Sequence, residues 1–355
     1  MSLSTTTDIN LAPAPRYRLP WIDYFKGVSI TYVVFSHVMR GIYFNQTEMP
    51  YIYTEFLRWG SGVAMPAFFF ISGMFVASAA FKPFKVHLIN LLQTGVYVYF
   101  VWVVLHGTVH LLFSGYTNRQ ASFSPILNML VTPPWHFWYI YVLVLLSIFD
   151  VSLRKVKLHP AALVILGVLF YRLSAFPHQL SWAGSSLVMQ YFLFYAVGAW
   201  IGKDGILVKV SQLRMNRLLP LFGVATCISI LMILMGLNEQ YLSRPFSIFP
   251  RALVLLIVLI VLERYGIFRF LGYIGKRSLE IYVAHVIVTA GTRIILMRFF
   301  DIKDPLVHIF LGTFVGVVIP LGIAVFTEKL GFPYLYRMKP KHGVRRLHNK
   351  EDSQT

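Results

Sequence analysis

Apolar residues in this chain gather into ten runs of helical length, at about 27–44, 60–80, 88–113, 136–150, 159–173, 184–202, 218–236, 250–263, 279–300 and 305–327. A helix needs roughly 20 mostly apolar residues to cross a bilayer core, so runs of this kind read as membrane spans. The fourth, fifth and eighth are the shortest. The polar stretches between them sort by charge. Every second connection, taken together with the two termini, holds 23 Lys and Arg, from Arg16, Arg18 and Lys26 at the start to the tail beyond Lys329; the remaining connections hold 4. Cations collect in cytoplasmic loops. One span more or fewer would destroy the alternation, so the pattern predicts ten spans with both termini in the cytoplasm. It divides the chain into a cytoplasmic segment 1–26, a membrane domain 27–327 and a basic cytoplasmic tail 328–355. The expected fold is an all-α polytopic membrane protein.

Composition agrees. Of 355 residues, 57% are hydrophobic and only 13% charged, with a mean hydropathy of +0.65. Soluble domains carry about 25% charged residues, so a soluble enzyme is excluded. A net charge of +18 would suggest nucleic acid in a soluble protein. Here the cations are sorted by loop, which points to membrane lipids and not to nucleic acid. Residues 1–15 are polar and contain Pro13 and Pro15, so no cleavable leader is expected and the first span serves as its own insertion signal. From Lys339 on, the tail is polar and basic and is expected to lie disordered against the anionic inner leaflet. A lone Cys227 has no partner for an internal disulfide. No internal repeat is visible, so an inverted-repeat transporter gains no support.

Against this apolar background the ionisable residues inside spans stand out, because each is costly to bury there. The first span carries His37 and Arg40, with Lys26 at its entrance. Eleven residues separate Lys26 from His37, roughly three helical turns, so both lie on one face with a rise of roughly 16 Å between them. His37 suits a general base near neutral pH; it equally suits helix packing through a hydrogen bond to a neighbouring span. Arg40, one turn further out, could bind an anionic or hydroxylated acceptor or snorkel to the surface. Lys82 and Lys85, in "FKPFK", form with Lys26 either a phosphate clamp or a plain topology signal. In "MPAFFFISGMF", Ser72 and Gly73 read first as small packing residues and second as ligand contacts. The ninth span, "GKRSLEIYVAH", sets Tyr282 and His285 three residues apart on one face, with Arg293 two turns beyond. His106 and His110, four apart, could hold zinc only with a third ligand that the neighbouring sequence lacks, so outer-face polar contacts are expected and no metal. His136 and Trp138, in "WHFWYIYVL", could line an acceptor entrance.

Together these residues resemble the acyltransferase-3 family of membrane acyltransferases, which includes O-acetyltransferases of lipopolysaccharide, capsule and exopolysaccharide. The likeness rests on "WIDYFKG" followed by His37, on "FFFISGMF", on the basic pair after the second span, on "WHFWYIYVL" and on "GKRSLEIYVAH". The family pattern of a basic residue, ten positions and then histidine is met by Lys26 and His37. Its basic-x-x-basic pair, usually two arginines, is Lys82 and Lys85 here; lysine lacks the arginine fork. The resemblance implies an acyl-CoA donor, usually acetyl-CoA, bound from the cytoplasm of a bacterium at Lys26, Lys82, Lys85 and Ser72. It implies transfer across the inner membrane to a hydroxyl of a glycan or lipid-linked glycan, beside polysaccharide-assembly machinery. His37, Tyr282 and His285 would be catalytic, and Asp23, Arg40, His136, Trp138 and Arg293 would meet the acceptor. Two other readings stay open at this point. A transporter or flippase for a lipid-linked saccharide also accounts for ten spans with internal His and Arg, though not for basic groups gathered under His37. A membrane scaffold predicts that His37→Ala leaves acylation unchanged.

Overall fold

A computed structural model describes residues 19–44, 50–79, 84–116, 122–155, 158–174, 183–237 and 244–338. These contain helices and turns and no strand. The helices are α1 (Pro20–Ile42), α2 (Tyr51–Ala79), α3 (Phe84–Leu91), α4 (Tyr97–Leu112), α5 (Ser124–Leu127), α6 (Trp138–Lys155), α7 (Pro160–Leu173), α8 (Ala183–Asp204), α9 (Ile206–Ser211), α10 (Met215–Leu234), α11 (Arg244–Arg264), α12 (Arg269–Lys276), α13 (Ser278–Phe299) and α14 (Pro305–Lys329). Each of the ten apolar runs falls on a helix. Among the described residues, seven helical stretches are long and apolar enough to cross a membrane: Phe84–Leu112, Trp135–Leu153, Gly184–Gly202, Met215–Leu234, Pro245–Arg264, Ser278–Phe299 and Pro305–Lys329. The protein is therefore an all-α, multi-pass membrane protein. Of the other three runs, the first holds Asp23, Lys26 and Arg40 within its helix, and α7 is a shorter apolar helix of 14 residues.

Helix starts differ from the apolar runs. α1 begins at Pro20, where a proline suits the first turn because its missing N–H would have no partner there. Asp23 and Lys26 thus lie within α1. Likewise α2 begins at Tyr51 and α11 at Arg244. A count of apolar residues stops where polar and aromatic residues begin, whereas the backbone hydrogen bonds carry on through them.

α1 is the central element. It packs against α2, α11, α12, α13 and α14. Apart from scattered positions its whole circumference is covered, and the buried positions include the polar Asp23, Ser29 and Ser36. Close approach depends on glycine. A Cβ on Gly275 would strike the Asp23 carbonyl of α1, and one on Gly73 would strike the Tyr195 carbonyl of α8. Small residues let neighbouring backbones come this near in a membrane, so the "ISGM" motif is a packing device for α2 against α8.

α3 and α4 form one continuous span interrupted by a π-helical turn at Leu92–Val96. Such single turns are rare and free a carbonyl from the regular ladder. Gln93, within it, accepts a hydrogen bond from the Met338 N–H at 3.2 Å. The chain after α14 returns as a strap over α4: Tyr97 donates to the Tyr334 carbonyl at 2.9 Å and Trp102 to the Leu335 carbonyl at 2.7 Å. Tyr336 is buried against the Trp102 ring, centroids 5.8 Å apart, and burial pushes its phenol up to about 12. The first part of the basic tail is therefore packed onto the body. Lys82, Arg16, Arg18 and the segment from Lys339 lie outside the described residues.

Candidate functional site

Four histidines from four elements meet beside α1. His37 lies on α1, His106 on α4, His285 on α13, and His136 on a one-turn 3₁₀ helix, Trp135–Phe137, leading into α6. Ring centroids are 5.0 Å apart for His37 and His285, 5.8 Å for His37 and His136, 5.1 Å for His136 and His285, and 5.0 Å for His106 and His136. His285 is 0% exposed and His136 is 4% exposed. Among the described residues, no group of three or more His, Cys, Asp or Glu could hold a metal ion.

The hydrogen bonds fix what each ring can do. Nδ1 of His285 faces the carbonyls of Tyr282, at 2.7 Å, and Ile281, at 3.2 Å. A carbonyl only accepts, so Nδ1 carries the proton and Nε2 is a bare acceptor. That Nε2 is buried without a hydrogen-bond partner. His106 donates from Nε2 to the Val283 carbonyl at 2.8 Å, which ties α4 to the turn of α13 just before His285. Neither ring nitrogen of His136 makes a hydrogen bond of good geometry, although the ring lies within electrostatic reach of the Tyr282 backbone. Buried polar atoms in folded proteins are almost always paired. Three nitrogens without such a bond in one cluster mark groups held for something other than stability.

Tyr282 sets the position of His136. Its phenol donates to the His136 carbonyl, 146 residues away in sequence, and its ring packs against that of His136 at 5.3 Å and that of Tyr139 at 5.4 Å. The preceding Trp135 adopts φ 49°, the left-handed region, so the turn is held in a conformation a bulky residue disfavours. Ser72 on α2 donates to the Phe68 carbonyl at 2.7 Å and interacts with the Tyr139 phenol. It therefore supports the aromatic wall behind Tyr282.

A cavity of about 900 Å³ opens from this cluster toward the Arg40 end of α1. Its wall includes His37, Arg40, His136, Trp138, Tyr282 and Arg293, six of the residues singled out in the sequence. His110, singled out in the sequence for outer-face polar contacts, lines it too; Trp135, Tyr191, Thr289, Thr292 and His308 complete much of it, and none of these five could be assigned from local pattern. Trp138 stacks on Tyr191 at 5.3 Å. Arg293 donates to the Gly41 carbonyl and so holds the last turn of α1 against α13.

The other sequence candidates lie elsewhere. Asp23 and Lys26 sit in the first two turns of α1, at the opposite end from Arg40, with Nζ of Lys26 3.5 Å from the Asp23 carboxylate. Neither lines the cavity, so Asp23 is not grouped with the acceptor-side residues where the sequence reading put it. Lys85 is exposed on α3 and does not line it either. Lys26 and His37 do share α1, but the cavity that His37 lines does not reach Lys26. His106, read from sequence as an outer-face residue, turns inward to the cluster instead, because α4 packs its buried stripe of Tyr99, Trp102 and His106 toward the centre.

No curated protein and no solved structure matches the chain. A family model described as an acyltransferase domain matches residues 19–325, which takes in all four histidines and both ends of α1. That match covers most of the chain, and the chain is accordingly a membrane acyltransferase belonging to the acyltransferase-3 family.

Proposed function

We propose that the protein transfers an acyl group, acetyl in the first instance, from cytoplasmic acyl-CoA to a hydroxyl of an extracytoplasmic or lipid-linked glycan. The observation that carries this reading is His37 in the wall of the cavity, backed by a buried histidine whose only bare nitrogen is an acceptor. The acceptor hydroxyl gives its proton to His37 as its oxygen bonds to the thioester carbonyl carbon. The carbon–sulfur bond then breaks, and the proton passes to the CoA sulfur. The bare Nε2 of His285, on a ring 5.0 Å from that of His37 by centroid, is the acceptor to which the other N–H of His37 would turn during transfer, directing the base nitrogen at the cavity as an orienting group does beside a catalytic imidazole. Stacked Trp138 and Tyr191 offer flat apolar faces for a sugar ring.

Lys26 and Lys85, with Lys82, are the cations that would meet the nucleotide phosphates on the cytoplasmic side. Roughly 16 Å of helix separates Lys26 from His37, a span the pantetheine arm has to cover. Cation sorting along the sequence supports this orientation, with ten spans, both termini cytoplasmic and the Arg40 end facing outward. The enzyme then works in the bacterial inner membrane beside the machinery that assembles the polysaccharide.

The test is purified protein with acetyl-CoA labelled in its acetyl group and surface glycan as acceptor. Label is expected to enter the glycan as free CoA thiol appears, and His37→Gln is expected to stop both. Unconsumed acetyl-CoA, with glycan moved across a vesicle membrane, would overturn the reading in favour of a flippase.

A further inference from the structure

The charge of the cavity bears on which glycan it takes, given the acceptor reading above. Arg40 and Arg293 both line it at the same end of α1. Arg293 reaches the carbonyl of Gly41, the residue after Arg40, so both arginines belong to the part of the wall formed by the last turn of α1. Among the described residues no Asp or Glu lines the cavity, and no carboxylate pairs with either arginine. Nearest to Arg293 in sequence, Asp301 pairs with Lys303 at 2.9 Å and Asp304 caps α14 through the Leu306 N–H at 2.7 Å. An arginine inside a membrane domain is costly unless an opposite charge or hydrogen-bond acceptors meet it. Among the described residues, the guanidinium of Arg293 has a single backbone carbonyl for its five N–H donors.

We propose that the acceptor is an anionic saccharide, whose carboxylate or phosphate is seated between Arg40 and Arg293. Arg40 and His37 are one turn apart on α1, about 4.5 Å of rise. A sugar ring bound by its anionic group at the arginines therefore brings a hydroxyl across the ring to the imidazole. The planar guanidinium fork matches either anion by paired N–H donors, and lysine would not. The charge gives specificity as well as affinity, since a neutral glycan would leave both cations unpaired.

Three glycosides that differ at one position separate the possibilities: a neutral hexoside, the matching hexuronide and the matching hexose 6-phosphate glycoside. Binding to the full-length protein is read by quenching of tryptophan fluorescence, for which Trp135 and Trp138 lie in the wall. Acetyl transfer from labelled acetyl-CoA is read in parallel. At least one anionic glycoside is expected to bind about tenfold or more tightly than the neutral one, as a charge-assisted hydrogen bond confers. That preference should shrink at high salt, fall to near parity in Arg40→Gln, fall partly in Arg293→Lys, and survive in His37→Gln. Which anion wins identifies carboxylate or phosphate. Arg40 is exposed, so its replacement does not threaten the fold. Equal binding of all three, or a preference untouched by Arg40→Gln, overturns the anionic acceptor. Acetyl transfer to the neutral hexoside in that case leaves the glycan reading standing. No binding and no transfer to any glycoside overturns both.

Discussion

Tyr282→Phe removes one oxygen from the centre of the site and keeps the ring. Tyr282 is 6% exposed, and phenylalanine retains its packing on His136, Tyr139 and His285, so the apolar contribution barely changes. What disappears is the donor to the His136 carbonyl. Stripping a buried acceptor of its partner costs about 1–3 kcal/mol. The same turn carries Trp135 in the left-handed region, a conformation costing about 1–2 kcal/mol outside glycine, and the Tyr282 hydrogen bond opposes its relaxation. With that bond gone the turn is free to relax and take His136 away from His37 and His285. A loss of 1–3 kcal/mol corresponds to about a 5–150-fold fall in the population of the competent turn. The assay is kcat for labelled acetyl transfer, with thermal unfolding measured in the same detergent. Both are expected to fall together, and His136→Gln should then add little to the loss in Tyr282→Phe, because the two act through one turn. Two results would refute the reasoning. Full activity would mean that the hydrogen bond does not hold the turn. A large loss of kcat at unchanged unfolding temperature would mean that the phenol itself acts on the reacting atoms.

Three further outcomes are expected. His37→Gln should lower acyl transfer by about 10²–10⁴-fold, the contribution of a general base, with the unfolding temperature kept because His37 faces a cavity; an active variant would remove His37 from the chemistry. Gly73→Ala would place its Cβ 3.0 Å from the Ala199 nitrogen and closer still to the Tyr195 carbonyl oxygen, so α2 and α8 must separate at a cost of at least about 1–3 kcal/mol, read as a lowered unfolding temperature; no change would show the interface to be soft. Since burial raises the Tyr336 phenol to about 12 from an ordinary 10, the docked strap favours the protonated form: that contribution is fully present below pH 10 and is lost as the pH rises through about 12. A difference titration of tyrosinate absorbance against Tyr336→Phe should show the late-ionising group, and Trp102→Phe, which removes the hydrogen bond to Leu335, should bring it earlier. A group that ionises at 10 in the unaltered protein would mean that the strap is not docked in solution.

The cavity joins these outcomes, since its wall brings together two arginines, stacked aromatic rings, hydroxyls and the imidazoles of His37 and His136.

How much of this was legible in the chain follows from the range of each interaction. Hydropathy and helix length are local, so all ten apolar runs fall on helices, with starts displaced only where polar or aromatic residues extend a helix past its apolar stretch. Lys26 and His37 share α1, and Tyr282 and His285 share α13, so their spacing could be read as a face. Likewise His37, Arg40, His136, Trp138, Tyr282 and Arg293 could be nominated, because an ionisable or amphipathic side chain in an apolar run is costly wherever the run packs. What brings them together is not local. Tyr282 reaches the His136 carbonyl across 146 residues, His106 the Val283 carbonyl across 177, and Arg293 the Gly41 carbonyl across 252. No periodicity encodes such pairs, because a helix pattern fixes which residues share a stripe and leaves open which neighbouring helix the stripe meets. The sequence alone therefore determined a multi-pass helical membrane protein and nominated six of the residues that line its cavity. Tertiary packing decided that His106 faces inward, that Ser72 supports a wall, and that Asp23 and Lys26 stand apart from the cavity. Its means were glycine-mediated helix contacts and side chain-to-carbonyl bonds between distant spans.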